Sequence, residues 1–260
     1  MYAGKIARRI PSVPDKLTAA YLETVADGRI SEYRYPVAMD YAEVEAVYLD
    51  FRQLNEFCII GRDNARRLKA VNGILDTMHR SIFNCPVKMY IIDSIDRPLK
   101  NKAELPYVEK YTVDSSYIST VLDDIMPELE RRQRMIMDGE VDAVKKMPHI
   151  MVVINNRDTA EFICSNKQLL EMYNQINKKL KATGVSFLFT DVEDVNVGYN
   201  APEILKRFKD TKKALVTSSL AEFKFCDIPS AAVRNNKTAK PEDCFMLNGQ
   251  EVTRIKMVEV

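Results

Sequence analysis

The sequence is short of glycine. Eight glycines in 260 residues is about 3%, where about 7% is usual. That scarcity counts against folds built on glycine-rich phosphate loops, and it points to regular, helix-rich structure with few strained turns. Tryptophan is absent, and histidine occurs only twice, at His79 and His149. Neither histidine has a second ligand at metal spacing, so no zinc or other metal residue is assigned. With two candidate bases, one directly before an apolar run, a Ser-His-Asp or Cys-His device has no support, and no catalytic residue is assigned. The five cysteines are Cys58, Cys85, Cys164, Cys226 and Cys244. They form no CxxC pair and several lie in apolar context, the pattern of buried thiols in a reducing compartment. Long apolar runs are missing too. The longest, Ile150 to Ile154, is far below the roughly 20 residues a membrane helix needs. Residues 1–10 are basic without an apolar core, unlike a secretory signal. The net charge of +1, from 38 Lys and Arg against 37 Asp and Glu, supplies no bulk field for nucleic acid or membrane.

What is present is an alternation of strand and helix patterns. Residues 6–35 are punctuated by Pro11, Pro14 and Pro36 and read as a lead-in with one short helix over Lys16–Val25. Strands are expected at Val47–Phe51, Phe57–Gly61, Val87–Asp93, Ile150–Ile154, Val185–Phe189 and Ala214–Thr217. Helices are expected at Asn64–Phe83, Ser116–Met137, Asn166–Lys181 and Pro202–Phe208. Pro127 predicts a kink or break in the second of these, with Asp114 or Ser115 as its cap and Gly139 as its stop. Asn248-Gly249, between Cys244–Leu247 and Glu251–Val258, is a strong hairpin signal. Apolar strands alternating with helices imply an α/β domain with a mostly parallel sheet covered on both faces. Residues 1–40 are read as linker and 41–260 as the domain.

Ligands of such sheets sit beyond the carboxyl ends of the strands, so three strand ends carry the functional reading. After the second strand stands Gly61-Arg62-Asp63-Asn64-Ala65-Arg66-Arg67-Leu68. Its length fits the phosphate loop GxxxxGK[ST], but Arg66 replaces the second glycine, Arg67 the lysine and Leu68 the hydroxyl. Arg66 hinders backbone approach, Arg67 exchanges a point charge for a planar fork, and Leu68 cannot ligate Mg²⁺. An ordinary strand–helix turn is the plainer reading. Ile150–Ile154 ends on Asn155 and Asn156, where a nucleotide hydrolase places Asp-Glu; an amide cannot act as general base. Asp158 and Glu161 beyond it read as a solvated helix start. Asp93 ends another strand and reads as a turn or cap residue. On the long helix, Leu129-Glu130-Arg131-Arg132-Gln133 reads by pattern as a solvated face with i,i+4 pairs.

Taken in order, these segments resemble the FtsK/SpoIIIE family of RecA-like motor ATPases. The likeness is closest to the C-terminal, third ATPase domain of EssC or YukB-like motors of type VIIb secretion. Leu129–Gln133 is similar to the family's Met-Glu-Arg-Arg-Tyr helix. Further matches are Ile10–Pro14, Tyr48–Phe51, Tyr90–Asp93, Leu105–Val108, Met147–Ile154, Leu180–Leu188 and the terminal Asp243–Ile255. The resemblance implies a RecA-like (P-loop NTPase) fold with a C-terminal β-hairpin. It makes Gly61–Leu68 a degenerate nucleotide loop, Asn155 and Asn156 a degenerate Walker B, and Glu130, Arg131 and Arg132 the signature helix. Thr190-Asp191-Val192 stands where active members carry Thr-Gln, and Arg207 lies near an arginine that the family supplies to a neighbouring subunit. It further implies a module that binds or couples secreted protein substrates with little or no ATP hydrolysis. The alternative is a weak nucleotide binder or an active ATPase, with the helix start at Asn64–Arg67 and two arginines attracting an anion. ATP with Mg²⁺ is accordingly expected to bind weakly or not at all. Implied partners are secreted substrates, upstream ATPase domains of the same parent chain and further copies in the full motor, without nucleic acid. The implied location is the cytoplasmic face of the bacterial membrane, on a membrane-anchored parent. The glycine scarcity then acquires a second meaning: part of it is the missing loop glycine itself.

Overall fold

The computed structural model describes residues 12–26, 33–180, 182–240 and 243–259. The basic residues 1–10, Ile10 and Pro11 of the opening match, and Lys181 at an expected helix end lie outside these. Among the described residues the elements are α1 (Ala19–Ala26), β1 (Arg34–Asp40), β2 (Ala46–Asp50), β3 (Glu56–Ile60), α2 (Asn64–Arg80), β4 (Val87–Ile92) and β5 (Val108–Thr112). They continue with α3 (Ile118–Met137), α4 (Val141–Lys145), β6 (His149–Ile154), α5 (Asp158–Ser165), α6 (Lys167–Lys178) and β7 (Val185–Val192). The last are α7 (Glu203–Thr211), β8 (Lys213–Val216), α8 (Ser230–Asn235), β9 (Cys244–Asn248) and β10 (Glu251–Met257). One sheet runs β2-β1-β10-β9-β8-β3-β7-β6-β4-β5. Its β8-to-β5 half is parallel, and the hairpin β9–β10 continues it antiparallel into β1 and β2.

The parallel strands are apolar at consecutive positions because both faces are covered. Side chains alternate between the faces. Cys58, Ile60, Ile92, Val152, Ile154, Phe187 and Phe189 point into one core, shared with Ile125 and Leu129 of α3, Tyr173 of α6 and Phe208 of α7. Phe57, Ile59, Met89, Ile91, Met151, Val153 and Leu188 point into the other, against Ala70, Val71, Ile74 and Met78 of α2. Leu17, Leu22 of α1, Met39 and Val258 form a small third cluster. The parallel register brings the carboxyl ends of β3, β7 and β6 side by side. Gly61, Thr190 with Asp191, and Asn155 with Asn156 therefore share one end of the sheet.

Several expectations need correction. Residues 34–40, read as the end of a lead-in, are a full strand. Pro36 is tolerated because it pairs only with β2, at a register shift, while β10 pairs from Ala38 onward. β5 went unforeseen after the loop with Pro98 and Pro106. It is an edge strand whose Glu109 and Lys110 are exposed, and edge charges mask apolar alternation. The short helices α4 and α8 carry too few residues to show a period. Pro127 neither breaks nor ends α3. It lies on the exposed face with Asp123, the residue whose carbonyl it leaves free, while Ile125, Leu129 and Arg132 anchor the buried face on both sides. Gly139 follows α3 with φ of +88°, a left-handed stop that suits glycine. The hairpin forms as expected, with Asn248 opposite Glu251.

His149 sits fully buried at the start of β6. Its Nδ1 lies 3.2 Å from the Tyr35 hydroxyl and its Nε2 3.0 Å from the Ser186 hydroxyl. Burial, and then the charge of Arg132, push its pKa down to about 3. The unfolded chain therefore binds one more proton below the ordinary value near 6.5. This residue's contribution to stability is complete above pH 6.5 and declines by about 1.4 kcal/mol per pH unit on acidification. Urea unfolding of His149→Gln at pH 5 and pH 7 is expected to show a shallower loss than the unsubstituted protein. Equal losses contradict the buried neutral imidazole.

Candidate functional site

The turn after β3 is built by its own side chains. Gly61 survives for packing: a Cβ there would lie 1.9 Å from Thr217 Oγ1. Asp63 is the cap of α2. Its Oδ1 accepts from the N–H of Ala65 at 2.8 Å and of Arg66 at 3.4 Å, and its carbonyl accepts from the Arg67 N–H at 3.1 Å. A carboxylate thus already satisfies the helix-start donors that attract phosphate in a working loop. Leu68 is half-buried and packs against the α2-side core.

Arg67 turns inward and is 2% exposed. Its guanidinium donates to the Gly61 carbonyl, to Asn64 Oδ1 at 3.3 Å and to Asp191 Oδ1 at 2.8 Å. Asp191 is also paired with Arg157 of the β6–α5 turn at 3.7 Å. Arg66 donates to the Asp243 carbonyl at 2.8 Å. Arg62 donates to the Glu222 carboxylate at 2.8 Å and to its carbonyl, with Asp194 at 3.6 Å. The arginines expected to attract an anion are therefore engaged by groups of the chain. Two anchoring carboxylates gave no sequence signal beyond their type. Asp194 accepts from the N–H groups of Lys224 and Phe225, and Asp243 accepts from Tyr41 Oη, Arg254 Nε and Lys240 N. Beside the turn opens a cleft of about 510 Å³, with Arg62, Asp63, Ser218, Leu220, Lys237 and Phe245 among its walls.

At the end of β6, Asn155 is buried and donates to Asp93 Oδ1 at 2.7 Å. Its Oδ1 accepts from Thr190 Oγ1 at 2.7 Å. Asn156 donates to the Asp93 carbonyl at 3.2 Å and accepts from the Asp158 N–H, at the start of α5. Asp158 and Glu161 are exposed, as a solvated helix start predicts. Among the described residues no cluster of three His, Cys, Asp or Glu side chains is arranged to hold a metal ion. Around the turn, Asp63 caps the Ala65 and Arg66 amides, Arg67 is paired with Asp191, and uncharged side chains stand at Leu68, Asn155 and Asn156.

The signature helix lies elsewhere. Glu130 and Arg131 are exposed, and Arg131 pairs with Glu128 at 2.8 Å, as a solvated face predicts. Arg132 does not: it is 2% exposed. It donates to Glu128 at 2.8 Å and to the carbonyls of Pro148 and Thr183 at 3.0 Å. Those residues precede β6 and β7, so Arg132 holds the strand entrances, at the opposite end of the sheet from Gly61. Arg207 is likewise committed within the chain, to Glu56 Oε1 at 2.6 Å and Asn174 Oδ1 at 2.8 Å. Burial raises the Glu56 carboxyl pKa despite the nearby Arg207 charge.

Removing one partner of a buried ion pair strands the other. Arg67→Ala is therefore expected to cost about 3 kcal/mol in urea unfolding. Arg67→Lys is expected to recover less than half of that, because a compact tetrahedral ammonium cannot reach acceptors placed around a planar fork. A loss for Arg67→Ala below about 1 kcal/mol contradicts the assignment.

No protein-family profile matches the chain, and no curated protein matches it. Solved structures do. The cytoplasmic domain of EssC superposes with a TM-score of 0.76 at 17% identity, over 96% of this chain and 48% of that one. EssC (ATPases 2 and 3) from Geobacillus thermodenitrificans gives 0.69 at 17% identity, over 96% and 46%. Thermomonospora curvata EccC (ATPases 2 and 3), in complex with a signal sequence peptide, gives 0.63 at 17% identity, over 99% and 46%. The chain spans about half the length of these relatives. The chain thus shares the fold of the EssC and EccC ATPase domains, a mostly parallel sheet flanked by helices, which is the fold that the resemblance of its sequence implies.

Proposed function

We propose that the domain is a nucleotide-silent ATPase-fold module of a type VII secretion motor. It binds or couples secreted protein substrates, together with the neighbouring ATPase domains of its parent chain, and hydrolyses little or no ATP itself. The observation that carries this reading is the self-filled phosphate cradle. Asp63 caps the Ala65 and Arg66 amides, and Asp191 neutralises Arg67.

Protein contact is supported by the same end of the sheet. Ile95, Val195 and Tyr199 are exposed there, in the loops after β4 and β7. Large exposed apolar side chains at this end of the sheet suit protein association better than solvent. Two of the similar structures hold a pair of ATPase domains, and one of these carries a signal sequence peptide. That supports the neighbouring domains and a secreted substrate as partners. Further copies in the full motor and a place at the cytoplasmic membrane face belong to the same reading. No helix among the described residues is long and apolar enough to cross a membrane. The balanced net charge supplies no bulk field for nucleic acid.

Thermal melting with 5 mM ATP, with and without Mg²⁺, tests the reading. A dissociation constant of about 1 mM would add about 1.1 kcal/mol and raise Tm by roughly 2–4 °C. No shift is expected. A saturable shift, abolished by filling the cleft with Ser218→Trp, would establish the weak nucleotide binder instead.

A further inference from the structure

The polar groups around His149 take no part in the proposed function. The ring lies fully buried at the start of β6, at the opposite end of the sheet from Gly61. It packs between Tyr33 and Phe51, whose ring centroids are 4.8 Å and 5.3 Å away. Its Nδ1 faces the Tyr35 hydroxyl and its Nε2 the Ser186 hydroxyl. Ser186 Oγ in turn donates to the Leu54 carbonyl at 3.1 Å. Tyr35 and Ser186 are themselves fully buried. Both polar partners of the ring are hydroxyls, and the nearby charge is that of Arg132, so burial leaves the imidazole neutral with a single N–H. Burial, followed by the neighbouring Cys85, pushes the Tyr35 phenol pKa well up, so that hydroxyl keeps its proton. These groups come from β1, β6, β7 and the segment before β3, and β1 is a sheet neighbour of none of those strands.

We propose that Tyr35, His149, Ser186 and Leu54 form a one-way hydrogen-bond chain that holds His149 as its Nε2–H tautomer and latches β1 beneath the parallel half of the sheet. The direction is set at the Leu54 end. A carbonyl can only accept, so the single Ser186 proton points at Leu54. Ser186 Oγ is then left to accept, and the group facing it is Nε2, which must carry the ring proton. Nδ1 is left with a lone pair, which the Tyr35 O–H satisfies. Running the chain backwards would turn the Ser186 proton to Nε2 and leave the Leu54 carbonyl without it. The far strand β1, with a proline among its residues, is thereby fastened to the entrances of β6 and β7 by directed polar contacts and not by ladder pairing. Nothing in this chain touches the turn after β3, so the inference stands whether or not the domain binds nucleotide.

The experiment is ring-nitrogen NMR of the ¹⁵N-labelled whole chain at pH 7. Only two histidines contribute, and the signals lost in His79→Gln leave those of His149. Nε2 is expected at the shift of a protonated ring nitrogen and Nδ1 at that of an unprotonated one. The Nδ1–H form, an averaged mixture of the two tautomers, or a doubly protonated ring overturns the inference. The unsubstituted protein decides this by itself. Two variants then test the direction. Tyr35→Phe is expected to keep the Nε2–H form. Ser186→Ala removes the acceptor and is expected to move the ring proton toward Nδ1, with the Tyr35 oxygen accepting; an unmoved proton contradicts the assignment. In urea unfolding, Tyr35→Phe is expected to raise the unfolded-to-folded ratio at least about fivefold, because it strands a buried lone pair. Unchanged stability in Tyr35→Phe contradicts the latch.

Discussion

A guanidinium buried under a turn must be neutralised, and the site end of this protein is organised around that need. In the sequence motif Arg67 stands at the lysine position of a phosphate loop. Here it is 2% exposed, donates to the carbonyl of Gly61 and is paired with Asp191. Desolvating a charge without a partner costs several kcal/mol. The carboxylate on β7 is therefore what allows α2 to seat against the sheet. Asp63 answers the second electrostatic demand, the unpaired N–H groups at the start of α2. Together the two carboxylates answer the positive charge of Arg67 and the helix-start N–H groups.

The same principle recurs along the strand ends. Asn155 joins Asp93 to Thr190, Asp194 gathers the Lys224–Phe225 backbone, and Asp243 fixes Arg254 and Tyr41. Arg67, Asn155, Asp194 and Asp243 are each held by partners within the protein. A scaffold arranged in this way holds its active-end geometry without a ligand. That suits a module whose work is done through protein surfaces.

Much of the fold was legible because parallel strands covered on both faces leave short apolar runs, and because Asn248-Gly249 marks its hairpin. β1 was hidden by Pro36, whose tolerance depends on β10 pairing only farther along the strand. β5 was hidden by the charges natural to an edge. The site was legible as a set of losses, since Arg66, Leu68, Asn155 and Asn156 each depart from a motif with known chemistry. What replaced that chemistry was not legible. The Arg67–Asp191 pair spans 124 residues, and no local pattern announces it. Arg132 illustrates the same limit. Helical spacing placed it with Arg131 on a solvated face, but the carbonyls of Pro148 and Thr183 at two strand entrances draw it inside.

Amide hydrogen exchange at Ala65 and Arg66 tests the central claim most directly, because these are the donors that a bound phosphate would take. With Asp63 already bonded to them, their exchange rates are predicted to be the same with and without 5 mM ATP and Mg²⁺, and to rise in Asp63→Ala. Slowed exchange at those two amides on adding nucleotide to the unsubstituted protein would show that the cradle is open, and would contradict the account.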